Sequence, residues 1–254
     1  MGVIMKKLLA LLLCLLFVSG ALADPLPLGE GLAGTVCYPE GCDEPQAEYI
    51  YRYAYPTVAG EDEVSLMINE FYAYMVDDAL GFTAPMAAEE IAGSGVQGYT
   101  TILGEVTCNN DEFFSVKVVS ESFLGAAAAN VVRGHVFART GEKAGTVISL
   151  PYLLGILKAD ETDAWMLERQ TAKADNMVRG LVWDVIQDQL SDGSIGYYDD
   201  LTYEIFEGNF YPEEDFYLDA DGNVVFFLQE GTAAPVTEGV LYFPFTLEEL
   251  LDEI

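Results

Sequence analysis

Histidine is almost absent from this chain, at one residue in 254. Metal centres built on several imidazoles are therefore out of reach. A Ser-His-Asp machine would have His135 as its sole base, and no GxSxG turn supplies a nucleophile for it. Basic residues are scarce as well: 11 Lys+Arg stand against 42 Asp+Glu, a formal net charge of −31. Such a chain repels phosphate backbones and anionic lipid, which argues against nucleic acid and membrane surfaces as partners. Beyond the N-terminus no apolar run approaches the roughly 18 residues that a membrane span needs. What the chain has in quantity is apolar surface, with 51% hydrophobic and 12% aromatic residues. Disorder needs few apolar residues as well as high charge, so a folded protein is expected. The length suits one ordinary domain or two small ones.

Residues 1–23 read as a secretory signal peptide. Lys6 and Lys7 form its charged start, and Leu8 to Val18 is an apolar core too short to cross a bilayer. Ala21-Leu22-Ala23 is the small-x-small cleavage pattern. Cys14 lies inside the apolar core, behind leucines, and so does not fit a lipid-attachment site. The mature protein is expected to be secreted and extracellular, free or wall-associated, with no membrane span. Of the four cysteines, Cys37, Cys42 and Cys108 remain after cleavage. Oxidising conditions preserve disulfides. Pro39 and Gly41 suit a tight turn between Cys37 and Cys42, so a local bridge is expected there, adding about 2 kcal/mol, with Cys108 free.

Residues 24–48 are rich in Pro, Gly and Glu, lack periodicity and read as a linker. Tyr49 to Val58 alternates Tyr49, Tyr51, Tyr53 and Tyr55, the period of a strand. Residues 61–80 place Val64, Met67, Ile68, Phe71, Tyr72, Met75 and Val76 at helical spacing. Acids at its start favour the positive end of the helix dipole. Strands are expected at about 99–108, 113–124 and 131–139, joined as an antiparallel meander through Asn109-Asn110-Asp111 and the loop 125–130. Residues 150–157 and 160–190 read as a short and a long helix, the latter ended by Gly193. A hairpin follows, Phe216–Leu218 with Val224–Leu228, then a strand at 240–245. Thr246 and Glu249 form a capping box for a last helix.

Several motifs dissolve on inspection. Gly93-Ser-Gly95-Val-Gln-Gly98 fits a dinucleotide loop only by letter, because a helix precedes it and a strand follows. Asp219, Asp221, Asn223 and Glu230 mimic a calcium loop, but its obligatory glycine is Val224. His135 lies within an apolar strand. Carboxylate clusters at 199–200, 213–215 and 248–249 suit a solvated face better than a glycosidase pair.

The order of these pieces is similar to a bacterial envelope family of largely unknown function. Its members form the extracellular region of lysozyme-sensing anti-sigma factors and the N-terminal module of some peptidoglycan N-acetyl deacetylases. Tyr55-Pro56 followed by a helix with Ile68-Asn69 resembles the family's start, and Asn110-Asp-Glu-Phe-Phe-Ser115 its second strand. Phe137-Ala-Arg-Thr-Gly-Glu142 with Ile148-Ser-Leu150 resembles its strand, Thr-Gly turn and short helix. Phe216-Tyr-Leu218, Asp221-Gly222, Val225-Phe226-Phe227, Ala234-Pro235, Gly239 and the helix from Thr246 resemble its C-terminal signature. The likeness runs over about residues 49–254. Two loops depart from it. The family's Gly-Ala-His-Gly is Gly125-Ala126-Ala127-Ala128 here, and Gly231 replaces an aromatic.

The expected architecture is α+β: a twisted, mainly antiparallel sheet with two long helices packed on it and a short C-terminal helix. Residues 49–145 form an N-terminal module and 146–254 a C-terminal one, sharing a core. The resemblance implies a non-catalytic binding module of the cell surface, without metal or cofactor, that binds lysozyme or another cationic protein, or cell-wall glycan. The acidic charge fits a cationic partner. The partner surface is expected on Glu230, Pro235 and Glu238 of the loop 229–238, with Tyr197, Tyr198, Asp199, Asp200, Glu213 and Glu214 beside it. The rival readings are a glycan hydrolase using a carboxylate pair and a purely structural wall module.

Overall fold

The computed structural model describes residues 24–158, 160–161 and 163–254, so the signal-peptide segment lies outside the described residues. Strands β1 (Leu32–Tyr38) and β2 (Tyr49–Tyr55) lead into helix α1 (Glu63–Asp78). A π-helical turn (Ala79–Thr83) carries α1 into α2 (Ala84–Ile91). The meander follows as β3 (Gly98–Asn109), β4 (Phe113–Phe123) and β5 (Ala128–Ala138). Then come α3 (Leu150–Leu153), the 29-residue α4 (Ala164–Asp192) and α5 (Tyr203–Glu207). The chain closes with β6 (Phe216–Leu218), β7 (Val224–Leu228), β8 (Leu241–Phe245) and α6 (Leu247–Asp252). The α+β class, the mainly antiparallel sheet, the long helices and the short last helix all match expectation. No helix among the described residues is long and apolar enough to cross a membrane.

The strands form two sheets, ordered β1-β2-β3-β4-β5 and β6-β7-β8. All pairings are antiparallel except β2 with β3. A parallel pair needs a long crossover, and α1–α2 supplies it. Asp62 starts α1 by accepting from the Ser65 N–H at 3.1 Å. Asn69 then ties the helix to the strand exit by donating to Val58 O (2.9 Å) and accepting from Val58 N (2.8 Å). At the other end of the chain Thr246 and Glu249 make the expected capping box. Gly193, at φ 70°, stops α4 in the left-handed conformation.

Strand alternation sends each face of the large sheet to a different core. Phe114, Val116, Val118 and Phe137 pack under Ile68, Tyr72 and Val76 of α1. Cys108, Val136 and Ala138 join Ala174, Val178, Val182 and Ile186 of α4 and Phe226 and Leu228 of β7. This second cluster crosses the boundary at 145, so the two sequence halves share it.

The outer edge of β5 is closed by the C-terminal half. Gln229 accepts from Val132 N (2.9 Å) and donates to Val132 O (2.8 Å), imitating a strand neighbour with its side chain. Glu230 accepts from Asn130 N (2.7 Å) and Asn130 Nδ2 (3.1 Å). Farther along, Ile148 N donates to Val136 O and Gly145 N to Ala138 O, each at 2.8 Å. Between these ties β6 crosses so closely that a Cβ on Gly134 would stand 1.6 Å from Phe216 O. Ser115 Oγ completes the joint, accepting from Leu218 N at 3.0 Å. An open edge would invite strand addition, and these contacts cover β5 at both ends and at the crossing.

Two expectations are corrected. Residues 24–48 are not only a linker, since β1 pairs with β2 along its length, from Leu32 opposite Tyr55 to Tyr38 opposite Tyr49. The Cys37–Cys42 bridge is not formed: both are free thiols, as is buried Cys108. Cys37 belongs to the β1 ladder opposite Ile50, so the pleat directs its side chain. Partial burial and the neighbouring Cys42 push its thiol pKa up.

Because the second half is seated on β5 through Gly134, Gly134→Ala is expected to lower stability by about 3 kcal/mol or more, at the upper end for overpacking. Urea denaturation of the variant against wild type measures it.

Candidate functional site

On the helical face of the large sheet the apolar pattern of β4 changes midway. Phe114, Val116 and Val118 are succeeded at the same inward spacing by Ser120 and Ser122. The register sets Thr100 and Ile102 of β3 and Val131 and Arg133 of β5 beside them. Here the helical layer stands off the sheet and leaves a groove of about 440 Å³. Tyr74, Met75 and Asp78 of α1, Thr83 and Ala87 form the opposite wall, and Tyr49, Tyr51 and Tyr55 close one end. Its size, mixed apolar lining and few polar groups are those of a small-ligand site. A second cavity of about 370 Å³ runs from Lys143 to Leu167 and has a single tyrosine, Tyr152, in its wall.

The groove's chemistry is that of neutral hydroxyls with one cation, Arg133, and one carboxylate, Asp78. Burial raises the phenol pKa values of Tyr49, Tyr51 and Tyr55, so they stay protonated. Tyr49 donates to Thr100 Oγ1 at 2.7 Å. Tyr74 is 72% exposed and stands at the mouth. Arg133 is close enough to Tyr55 and His135 for both to feel its charge. Among the described residues Arg133 has no ion pair, since those present join Arg52 to Glu44 and Lys117 to Glu105.

His135 belongs to the aromatic core beneath α1. Its Nδ1 lies 3.3 Å from the Tyr72 hydroxyl, and Phe71 meets it edge-on at 5.0 Å. Burial, reinforced by Arg133, lowers its pKa to about 4. It is thus an uncharged packing residue at neutral pH. Among the described residues no three His, Cys, Asp or Glu side chains gather to hold a metal ion.

The sequence-proposed partner residues separate into three environments. Tyr197 is only 8% exposed and donates to Gln189 Oε1, so it is a core residue. Glu230 is spent on Asn130, and this correction is long-range in origin: its partner lies 100 positions away. Pro235 is half-buried at the start of a 3₁₀ turn. The remainder do meet. Tyr198 N donates to Ala233 O and its hydroxyl lies 3.4 Å from Gly231 O, while Glu238 abuts Gly196. Asp199 and Asp200, next in the chain, and Glu238 are exposed here, and Glu214 is exposed as well.

Glu213 is half-buried beside Asp175 of α4, which is 5% exposed. Asp175 Oδ1 and Glu213 Oε2 are both shut from water, and neither has a donor. Two such carboxyls can satisfy each other only by sharing a proton. Burial first, then Glu213, accordingly raises the Asp175 pKa well above the carboxylate range. Nearby Asp215 accepts from Tyr211 N and Gln229 Nε2, yet burial still raises its pKa to about 6.

The sequence matches no protein-family model, and no characterised protein matches it significantly in sequence. The fold does have solved relatives. A DUF3298 family protein from Pseudomonas aeruginosa PAO1 superposes with a TM-score of 0.54 at 14% identity, over 91% of this chain and 94% of that one. A DUF3298 member from Bacteroides fragilis aligns with a TM-score of 0.44, also at 14% identity, over 91% and 93%. The first likeness shows a shared fold, that of a bacterial domain of unknown function.

A carboxyl whose pKa is raised on folding binds a proton that the unfolded chain releases, so stability falls as pH rises from the ordinary carboxylate range through the raised value. Asp175→Asn supplies a permanent donor to Glu213. It is expected to raise stability by about 1–3 kcal/mol near pH 8 and by much less near pH 4. Thermal unfolding at the two pH values measures it.

Proposed function

We propose that this chain is a secreted, non-catalytic binding module of the bacterial cell surface and that the tyrosine groove holds its ligand, a stretch of wall glycan. The groove carries this reading. It combines one exposed aromatic face, that of Tyr74, on which the apolar face of a sugar ring can pack, with hydroxyls suited to a polyol. The apolar segment 8–18 and the fold shared with a bacterial domain are compatible with a surface location. A hydrolase would need two carboxyls about 5 to 9.5 Å apart across a substrate. Asp78 is the groove's carboxylate, and Asp175 and Glu213 lie together beneath α4, away from it.

A second reading rests on the acidic surface around Tyr198. Asp199, Asp200, Glu214 and Glu238 are exposed there in a chain of net charge −31. That suits a cationic protein, with lysozyme the example the family resemblance suggests; acids at a rim mainly accelerate association.

The test is retention of the secreted protein on insoluble wall glycan and on immobilised lysozyme, at low and high salt. Glycan retention that persists in high salt and drops with Tyr74→Ala is expected. Salt-sensitive capture by lysozyme, weakened by Glu214→Lys with Glu238→Lys, would favour the second reading. Absence of glycan retention at both salt concentrations would overturn the first.

A further inference from the structure

Arg133 is the one basic side chain among the groove's lining residues, and Asp78 the one acid. Like most basic side chains of the described residues it makes no ion pair, those present joining Arg52 to Glu44 and Lys117 to Glu105. What sets it apart is its place in the groove wall, where its donors are open to a ligand. Its guanidinium stands by the Tyr55 phenol and the uncharged His135, in a groove whose other lining is hydroxyls, apolar groups and Asp78. A planar fork of donors held free of protein carboxylates is suited to receive a ligand's carboxylate.

We infer that the groove selects an anionic saccharide, a sugar ring bearing a carboxylate, and that Arg133 is the residue that reads the charge. This rests on the groove being the glycan site proposed above. Tyr74 at the mouth offers an exposed face for the ring. Ser120 and Ser122 offer hydroxyls on the floor, and Asp78 offers an acceptor for a ring hydroxyl or an amide N–H. The protein's overall negative charge opposes an anion at long range. That field is screened within about 8 Å at physiological salt, whereas a contact to Arg133 is not. The site therefore discriminates by contact and gains nothing from steering.

N-acetylmuramic acid and N-acetylglucosamine share a ring and an acetamido group, and only the first carries a lactyl carboxylate. Titration of the full secreted chain with each, followed by ligand-observed NMR, tests the inference. Wild type is expected to prefer N-acetylmuramic acid by about tenfold, the scale of one charge-assisted hydrogen bond. Arg133→Gln is expected to abolish the preference, weakening N-acetylmuramic acid about tenfold more than N-acetylglucosamine. Arg133→Lys is expected to retain part of it. Tyr74→Ala is expected to weaken both sugars alike. Arg133 and Tyr74 are both exposed, so these substitutions leave the core intact. Equal binding of the two sugars by wild type, or a preference that survives Arg133→Gln, overturns the anionic-ligand inference and leaves the groove as a sugar site. Failure of both sugars to bind wild type overturns both that inference and the groove reading.

Discussion

The close crossing of β6 over β5 at Gly134 organises the molecule. With no side chain at that point, the Phe216 carbonyl lies against the sheet, and the hairpin is seated on one face only. Gln229 and Glu230 then occupy the free N–H and C=O groups at the near end of β5, and residues 144–148 those at the far end. The edge is closed without a sixth strand. The opposite face stays with α1, and where α1 stands off the sheet, the groove opens. The groove face and the assembly face are thus separated by the thickness of one sheet.

Elements whose signal is local were legible in the sequence. Helices α1 and α4 showed in apolar spacing, the meander in turn clusters, and α6 in its capping box. Strand β1 was not, because Leu32-Ala-Gly-Thr-Val-Cys-Tyr38 is short and partly exposed within a Pro- and Gly-rich stretch. Its Gly34 leaves room for the Tyr53 ring on the next strand, a packing reason that composition disguises as a linker. The edge-closing roles of Gln229 and Glu230 depend on partners about a hundred positions away, so no window could reveal them. The groove did leave a trace: Ser120 and Ser122 interrupt the inward apolar positions of β4. Alternate tyrosines in β2 read correctly as a strand, but only the register shows that Tyr51 and Tyr55 end in a cavity.

The excess of acid is used in three ways. Some carboxylates are structural acceptors, such as Asp62 at the start of α1 and Glu230 on β5. Asp175 and Asp215 are drawn inward, at a cost that grows with pH. The rest, around Tyr198 and Glu238, face solvent, where they oppose aggregation and favour basic partners over acidic ones. Against this background Arg133 is the one basic side chain that lines the tyrosine-bearing groove.

Backbone amide shifts of the isotopically labelled protein, recorded as soluble wall-glycan fragments are added, test this account most directly. The account predicts that the largest changes fall on Thr100, Ser120, Ser122 and Arg133, with the turn at 199–200 and the loop 231–238 unmoved. Changes concentrated at Tyr198, Asp199 and Glu238, with the groove silent, would contradict it and place binding on the acidic surface instead.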